Sequence, residues 1–152
     1  MSDLSVRPAE ARDLEAIVRL FAADETGGHG DAWTETNRPA YEAALQRILR
    51  SEDHRLFVAE IGADVIGTFQ TTLIPSISGR GGLRLKLEGV QVRADLRSRG
   101  IGARMIAVAE TVAREAGANS VELSSNKKRV DAHRFYERLG YLRSHDGFKK
   151  RL

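Results

Sequence analysis

The sequence predicts a single α/β domain over residues 1–152, built as a mixed, mostly antiparallel sheet of about seven strands with four helices in the order β-α-α-β-β-β-α-β-α-β-β. Three observations predict it. Stretches of alternating apolar residues give way repeatedly to stretches with helical spacing, as expected when strands and helices share one core. The 152 residues amount to one domain's length, with no linker, repeat or low-complexity run to divide them. A composition of 41% hydrophobic and 30% charged residues suits a folded core and excludes a disordered tail.

Leu4, Val6 and Arg7 read as a short strand over 4–7, and Pro8 favours an extended residue before it. Leu14, Ile17, Val18 and Phe21 recur at helical spacing, with Asp13 as a cap. Thr26-Gly27-Gly28-His29-Gly30-Asp31 breaks that helix. A second helix runs from about Pro39 to Ser51, with Tyr41, Leu45, Ile48 and Leu49 on one face. Leu56–Ala59 and Val65–Phe69 read as strands around Gly62-Ala63-Asp64, a hairpin signal, and the second strand continues to about Ile74. Ser78-Gly79-Arg80-Gly81-Gly82 reads as a flexible turn. Leu83-Arg84-Leu85-Lys86-Leu87 alternates strictly, and Gly89 marks a bulge or a close backbone approach. Ile101 to Ala116 has a long helical pattern stopped by Gly117. Val121 and Leu123 form a short strand, Asp131 to Leu139 a helix stopped by Gly140, and Tyr141 to Leu152 two short strands around Asp146-Gly147.

Several function classes fall away at this stage. Cysteine is absent, so disulfides, thiolate metal sites and a cysteine nucleophile are excluded. No stretch reaches the roughly 18 apolar residues of a membrane span, and no secretory signal is visible after Met1, so a cytoplasmic protein without a membrane partner is expected. His29 and Asp31 alone do not make a metal site, and no metal is expected. The net charge of +3 conceals a division. Residues 1–76 carry 7 basic and 13 acidic residues, a balance of −6, whereas residues 77–152 carry 17 and 8, a balance of +9. The second half should attract an anion. An aromatic content of 6%, not interleaved with the basic residues, argues against a nucleic-acid partner.

The informative stretch is Leu87 to Ala103, where a strand runs into a Gly-containing loop and the loop opens a long helix. Backbone N–H groups converge at such a helix N-terminus and the macrodipole favours negative charge there. Gly100 and Gly102 let a phosphate approach the backbone, and Arg97 and Arg99 add positive charge. A dinucleotide fingerprint would need a third glycine where Met105 stands, and the closing Gly-Lys-Ser/Thr of a P-loop is missing.

Arg97-x-x-Gly100-x-Gly102 after Val90-x-Val92, followed by Phe135-Tyr136-Glu137-Arg138-Leu139-Gly140-Tyr141, resembles the GNAT family of acetyl-CoA-dependent N-acetyltransferases over nearly the whole chain. The resemblance implies the GNAT fold, with acetyl-CoA as acetyl donor and a small-molecule primary amine as acceptor, attacked directly in a ternary complex. It implies that the backbone of Val90, Gln91 and Val92 pairs with the pantetheine arm. The amides of Arg97, Ser98, Arg99, Gly100, Ile101, Gly102 and Ala103 would cradle the pyrophosphate. The strands would part at Gly89, bringing an N–H near Val90 or Gln91 to the thioester oxygen, an oxyanion-hole geometry. A homodimer is compatible with families of this kind. A protein or peptide acetyltransferase and a non-catalytic acyl-CoA sensor are the alternative readings.

Glu88 is the candidate general base, acting through water, and its competing reading is a strand carboxylate paired with Lys86 or a neighbouring arginine. Tyr136 matches the family position that protonates the departing thiolate, and its competing reading is a core aromatic beside Phe135. Many family members carry a cofactor-contacting asparagine where this chain has Arg129, so Arg129 or Asn126 stands in for it. His133 and His145 are weaker candidates for a substrate contact, and Trp33 and Phe21 are expected to pack. The stretch Leu123 to Tyr136, with Ser144-His145 and Phe148, is similar to aminoalkylphosphonate N-acetyltransferases, mainly in the last third of the chain.

Overall fold

The structure, a computed structural model, describes residues 3–26 and 29–152, so Gly27 and Gly28 of the predicted helix break lie outside the described residues. In chain order the elements are β1 (Leu4–Pro8), α1 (Leu14–Ala22), α2 (Arg38–Arg50), β2 (His54–Ile61), β3 (Asp64–Pro75), α3 (Ser78–Gly81), β4 (Leu83–Val92), α4 (Ile101–Glu115), β5 (Ser120–Leu123) and α5 (Val130–Arg138). Short 3-10 turns at Ala11–Asp13 and Ala94–Leu96 lead towards α1 and α4. The strands form one sheet in sequential order. β1 to β4 pair antiparallel, and β5 joins β4 in parallel.

Alternation along β2 sorts its side chains between two faces. Phe57 and Ala59 face the core beneath α4, where Ile101, Met105, Ile106, Ala109 and Ala113 are buried on the sheet. Val58 faces the other side, with Ile17 of α1. Phe57 and Phe69 stack at 4.8 Å between ring centroids. Gly67 makes room for α4, since a Cβ there would lie 2.8 Å from the Met105 sulfur.

The turn signals behave as their residues dictate. A two-residue loop, Gly62-Ala63, closes the β2–β3 hairpin, with Gly62 at φ +61°. α4 and α5 both end in Schellman motifs. Gly117 and Gly140 take positive φ, and the next residues, Ala118 and Tyr141, donate back to the carbonyls of Ala113 and Tyr136.

Two expectations are corrected. The sheet has five strands and not about seven, and there are five helices and not four. The fifth helix is the short α3, where the predicted flexible turn folds with Gly79, Arg80 and Gly81 at positive φ. The two missing strands are those expected over 141–152, which carry no regular structure. β5 offers only four paired residues before it leaves β4, and the tail lies in solvent with Leu142, Phe148 and Leu152 exposed. Among the described residues no helix is long and apolar enough to cross a membrane.

Candidate active site

The site grows out of a mismatch along β4. Thr68 of β3 pairs with Gln91 and Gln70 pairs with Glu88, so Gly89 and Val90 together face Phe69 alone. This two-against-one arrangement is a β-bulge at the predicted glycine. Gly89 takes φ +59°, and Phe21 of α1 presses on it, since a Cβ there would sit 3.2 Å from the Phe21 ring. At the same level β4 and β5 part company. Their pairing covers only Arg84–Leu87 against Ser120–Leu123, while β3 stays paired with β4 as far as Val92. From Glu88 to Val92, therefore, one edge of β4 has no strand beside it. Its backbone groups face a wedge-shaped opening, where another extended chain can pair.

The wedge leads to the start of α4. Gly100 is the N-cap, held left-handed at φ +80°, and the first helical bond runs from the Arg104 N–H to the Gly100 carbonyl. The N–H groups of Ile101, Gly102 and Ala103 thus precede the helical ladder, no side chain caps them, and the first turn holds no acidic residue. Ser98 also has positive φ, at 62°, which turns the loop tightly before the helix. The Arg97 Nε donates to the Val92 carbonyl at 3.2 Å, closing the loop onto the end of β4. An anion would meet uncompensated donors here. The two glycines serve different ends. Nothing lies within 4 Å of a Cβ placed on Gly100, whereas one on Gly102 would be 3.1 Å from Phe135. Gly102 therefore lets α5 pack against α4.

Of the acid–base candidates, Glu88 is exposed beside the bulge, with its carboxylate 3.9 Å from Lys86 Nζ. Tyr136 lies half-buried on α5, 5.0 Å from Phe135 and 5.9 Å from Tyr141 between ring centroids. Burial pushes its hydroxyl above the ordinary tyrosine value, against the opposing charge of Arg129. The phenol thus keeps its proton at neutral pH.

Arg129 and Asn126 take separate places. The Asn126 Oδ1 accepts from the Lys128 N–H at 2.9 Å, and its carbonyl accepts from the Arg129 N–H at 3.0 Å. Asn126 thereby shapes the turn into α5. His133 reinforces that turn. Arg143 can only donate to the His133 Nδ1 (3.1 Å), which leaves Nε2–H to donate to the Asn126 carbonyl at 2.9 Å. His145 contacts only Ser144 in the exposed tail. Trp33 stacks on Tyr41 at 6.3 Å, and Asp31 accepts from the Tyr41 hydroxyl at 2.7 Å. Among the described residues no group of three or more metal-ligating side chains is present.

Sequence reasoning missed Asp24. It lies just past α1 with its side chain 8% exposed, and both guanidinium nitrogens of Arg129 donate to its carboxylate. Gln91 Nε2 adds a third bond at 2.9 Å, so the Gln91 side chain crosses the bulge towards α1. Burial raises the Asp24 pKa, but the Arg129 and Gln91 bonds outweigh it and hold the carboxyl below the ordinary aspartate value. With 105 residues between the partners, no local pattern announced the pair.

A profile described as Acetyltransferase (GNAT) family matches residues 14–141. The aminoalkylphosphonate N-acetyltransferase of Salmonella typhimurium is 48% identical over 67 residues, a match spanning 44% of this chain and only 44% of that relative. YhdJ of Bacillus subtilis, described as an uncharacterized N-acetyltransferase, is 30% identical over 109 residues, or 71% of this chain and 75% of that one. Among solved structures, one titled as a transcriptional regulator from Bacillus halodurans superposes with a TM-score of 0.94 at 32% identity, over 98% of this chain and 99% of that chain.

Proposed function

The chain belongs to the GNAT acetyltransferase family, and from that premise we propose that it transfers acetyl from acetyl-CoA to the primary amine of a small molecule, by direct attack in a ternary complex. The observation that carries this reading is the parting of β4 and β5 at the Gly89 bulge, beside a helix whose first turn is uncapped.

The residues present suit the donor. Its extended pantetheine arm matches the free edge of β4 at Val90, Gln91 and Val92. Its pyrophosphate matches the first-turn amides between Arg97 and Ala103, with Ser98, Arg99, Gly100, Ile101 and Gly102 among them. Acetyl-CoA supplies an activated acetyl group held as a thioester. The N–H of Val90 or Gln91 donates to the thioester oxygen and stabilises charge that develops there. Glu88 takes the amine proton through water, and its exposure supports that route. Tyr136 holds the proton that the sulfur needs on departure. Asn126 holds the loop that brings α5, and Tyr136 with it, to the wedge.

A second reading, an acyl-CoA-binding regulator without catalysis, draws on the similarity to the Bacillus halodurans protein. Thiol release from acetyl-CoA against a panel of primary amines separates the two. The transferase reading expects amine-dependent release. Tight acetyl-CoA binding with no release on any amine refutes it in favour of the regulator.

A further inference from the structure

We infer that Asp24 and Arg129 form a clamp for a short zwitterionic amine, with the ammonium seated on Asp24 and the anionic group on Arg129; this deepens the transferase reading above and rests on it. The pair joins the end of α1 to the residue that opens α5. Gln91 binds the same carboxylate from β4, and Phe21, three residues before Asp24, presses on Gly89. Arg129 is near enough to Tyr136 for its charge to act on the phenol. The clamp thus lies between the bulge, where the acetyl group is proposed to arrive, and the proposed acid.

The physical argument concerns what happens when the pair opens. Asp24 is nearly buried, and Arg129 is 25% exposed. A simple cation that displaced Arg129 would leave the guanidinium without its carboxylate, and a simple anion that displaced Asp24 would strand the carboxylate. Leaving one member of such a pair uncompensated is the costly event. A zwitterion replaces like with like. Its ammonium takes the place of Arg129 on Asp24, its anionic group takes the place of Asp24 on Arg129, and Gln91 keeps its bond to the carboxylate. No charge is left alone. Since the two side chains are already in contact, the amine and the acid must be close together, separated by about one to three carbon atoms given charge-assisted bonds of about 2.8 Å on each side. Asp24 is held below the ordinary aspartate value and is therefore a poor base, so it binds the ammonium and leaves deprotonation to Glu88. The planar fork of Arg129 suits a phosphonate, a sulfonate or a carboxylate.

The test compares kcat/KM for 2-aminoethylphosphonate and β-alanine with that for ethanolamine, which has a similar length and no anionic group. Calorimetric binding of 2-aminoethylphosphonate to the CoA-loaded protein runs alongside. In the wild-type protein the zwitterions should exceed ethanolamine by about 10- to 100-fold, the range of a hydrogen bond to a charged partner. Arg129→Gln should bring that ratio towards one, and Arg129→Lys should restore part of it. The wild-type comparison needs no variant to fold. Turnover with equal use of ethanolamine, or a ratio unchanged in Arg129→Gln, overturns the clamp and leaves the transferase standing. Absence of turnover on every amine, with binding that depends on Arg129, upholds the clamp and overturns the transferase. Absence of both turnover and binding overturns both.

Discussion

Replacing Gly100 separates the stability of the helix start from its capacity to hold an anion. Gly100 sits at φ +80°, where an ordinary side chain costs about 1–2 kcal/mol, although aspartate tolerates the left-handed region better than alanine does. No atom lies within 4 Å of the added Cβ, so the substitution brings no internal clash. Gly100→Ala should therefore lose about 1 kcal/mol of stability. Gly100→Asp should lose no more, because a carboxylate at a helix N-terminus recovers about 0.3–1 kcal/mol from the macrodipole. Binding should behave oppositely. A carboxylate about 4 Å from a phosphate, at an effective dielectric of about 20, costs about 4 kcal/mol. Screening by salt at this exposed turn lowers that figure, leaving a loss in acetyl-CoA affinity of about 100-fold for Gly100→Asp and much less for Gly100→Ala. Thermal denaturation of the free proteins, with calorimetric titration of acetyl-CoA at fixed ionic strength, gives both quantities. If Gly100→Asp binds as tightly as Gly100→Ala, the pyrophosphate is not held at this helix start.

Tyr136→Phe should slow turnover by about 10- to 1,000-fold, a span around the usual general-acid contribution, while acetyl-CoA affinity stays near wild type; unchanged turnover removes Tyr136 from the acid role. Acid stability should reflect Asp13 and Asp24, each destabilised as an anion by burial but held below the ordinary value of 3.8 by its arginine partner, Arg7 or Arg129. Their contribution is complete above that ordinary value and is lost as pH falls through the lowered native values. Unfolding free energy measured by urea between pH 6 and about 2.5 should hold its level at the upper end and drop below the ordinary aspartate range, with a shallower drop in Asp24→Asn; an equal slope in that variant would show that Asp24 does not carry this term.

The elements that could be read in the sequence are those whose cause is local. Gly117 and Gly140 end their helices because a left-handed C′ residue suits glycine, and that requirement is written at one position. Gly89 marked the bulge for the same reason. The tail failed because its alternation was real but its partner was missing. Leu142 and Phe148 alternate with polar residues, yet β5 is four residues long and turns away from β4 before a further strand can extend the sheet. Strand pairing is a tertiary fact, and periodicity alone does not supply the neighbour. Gly102 was legible in identity but not in purpose, since the ring it accommodates, Phe135, lies 33 positions away.

The charge division takes on a spatial meaning in the folded chain. The acidic first half and the basic second half meet where Asp24 and Arg129 pair across the bulge. The sequence placed Arg129 on the cofactor side, at the position where many relatives carry an asparagine. Both guanidinium nitrogens are instead committed to a carboxylate at the end of α1, whereas the first turn of α4 has no side-chain cap. Cofactor and acceptor sites therefore make different demands on the same positive half. The cofactor end needs uncompensated amides, with Arg97 and Arg99 nearby. The acceptor end needs a cation already balanced by an anion, so that a ligand carrying both charges can enter without leaving either one bare. A composition count sees only the excess of +9 and cannot separate these demands, because the difference lies in which cations have partners.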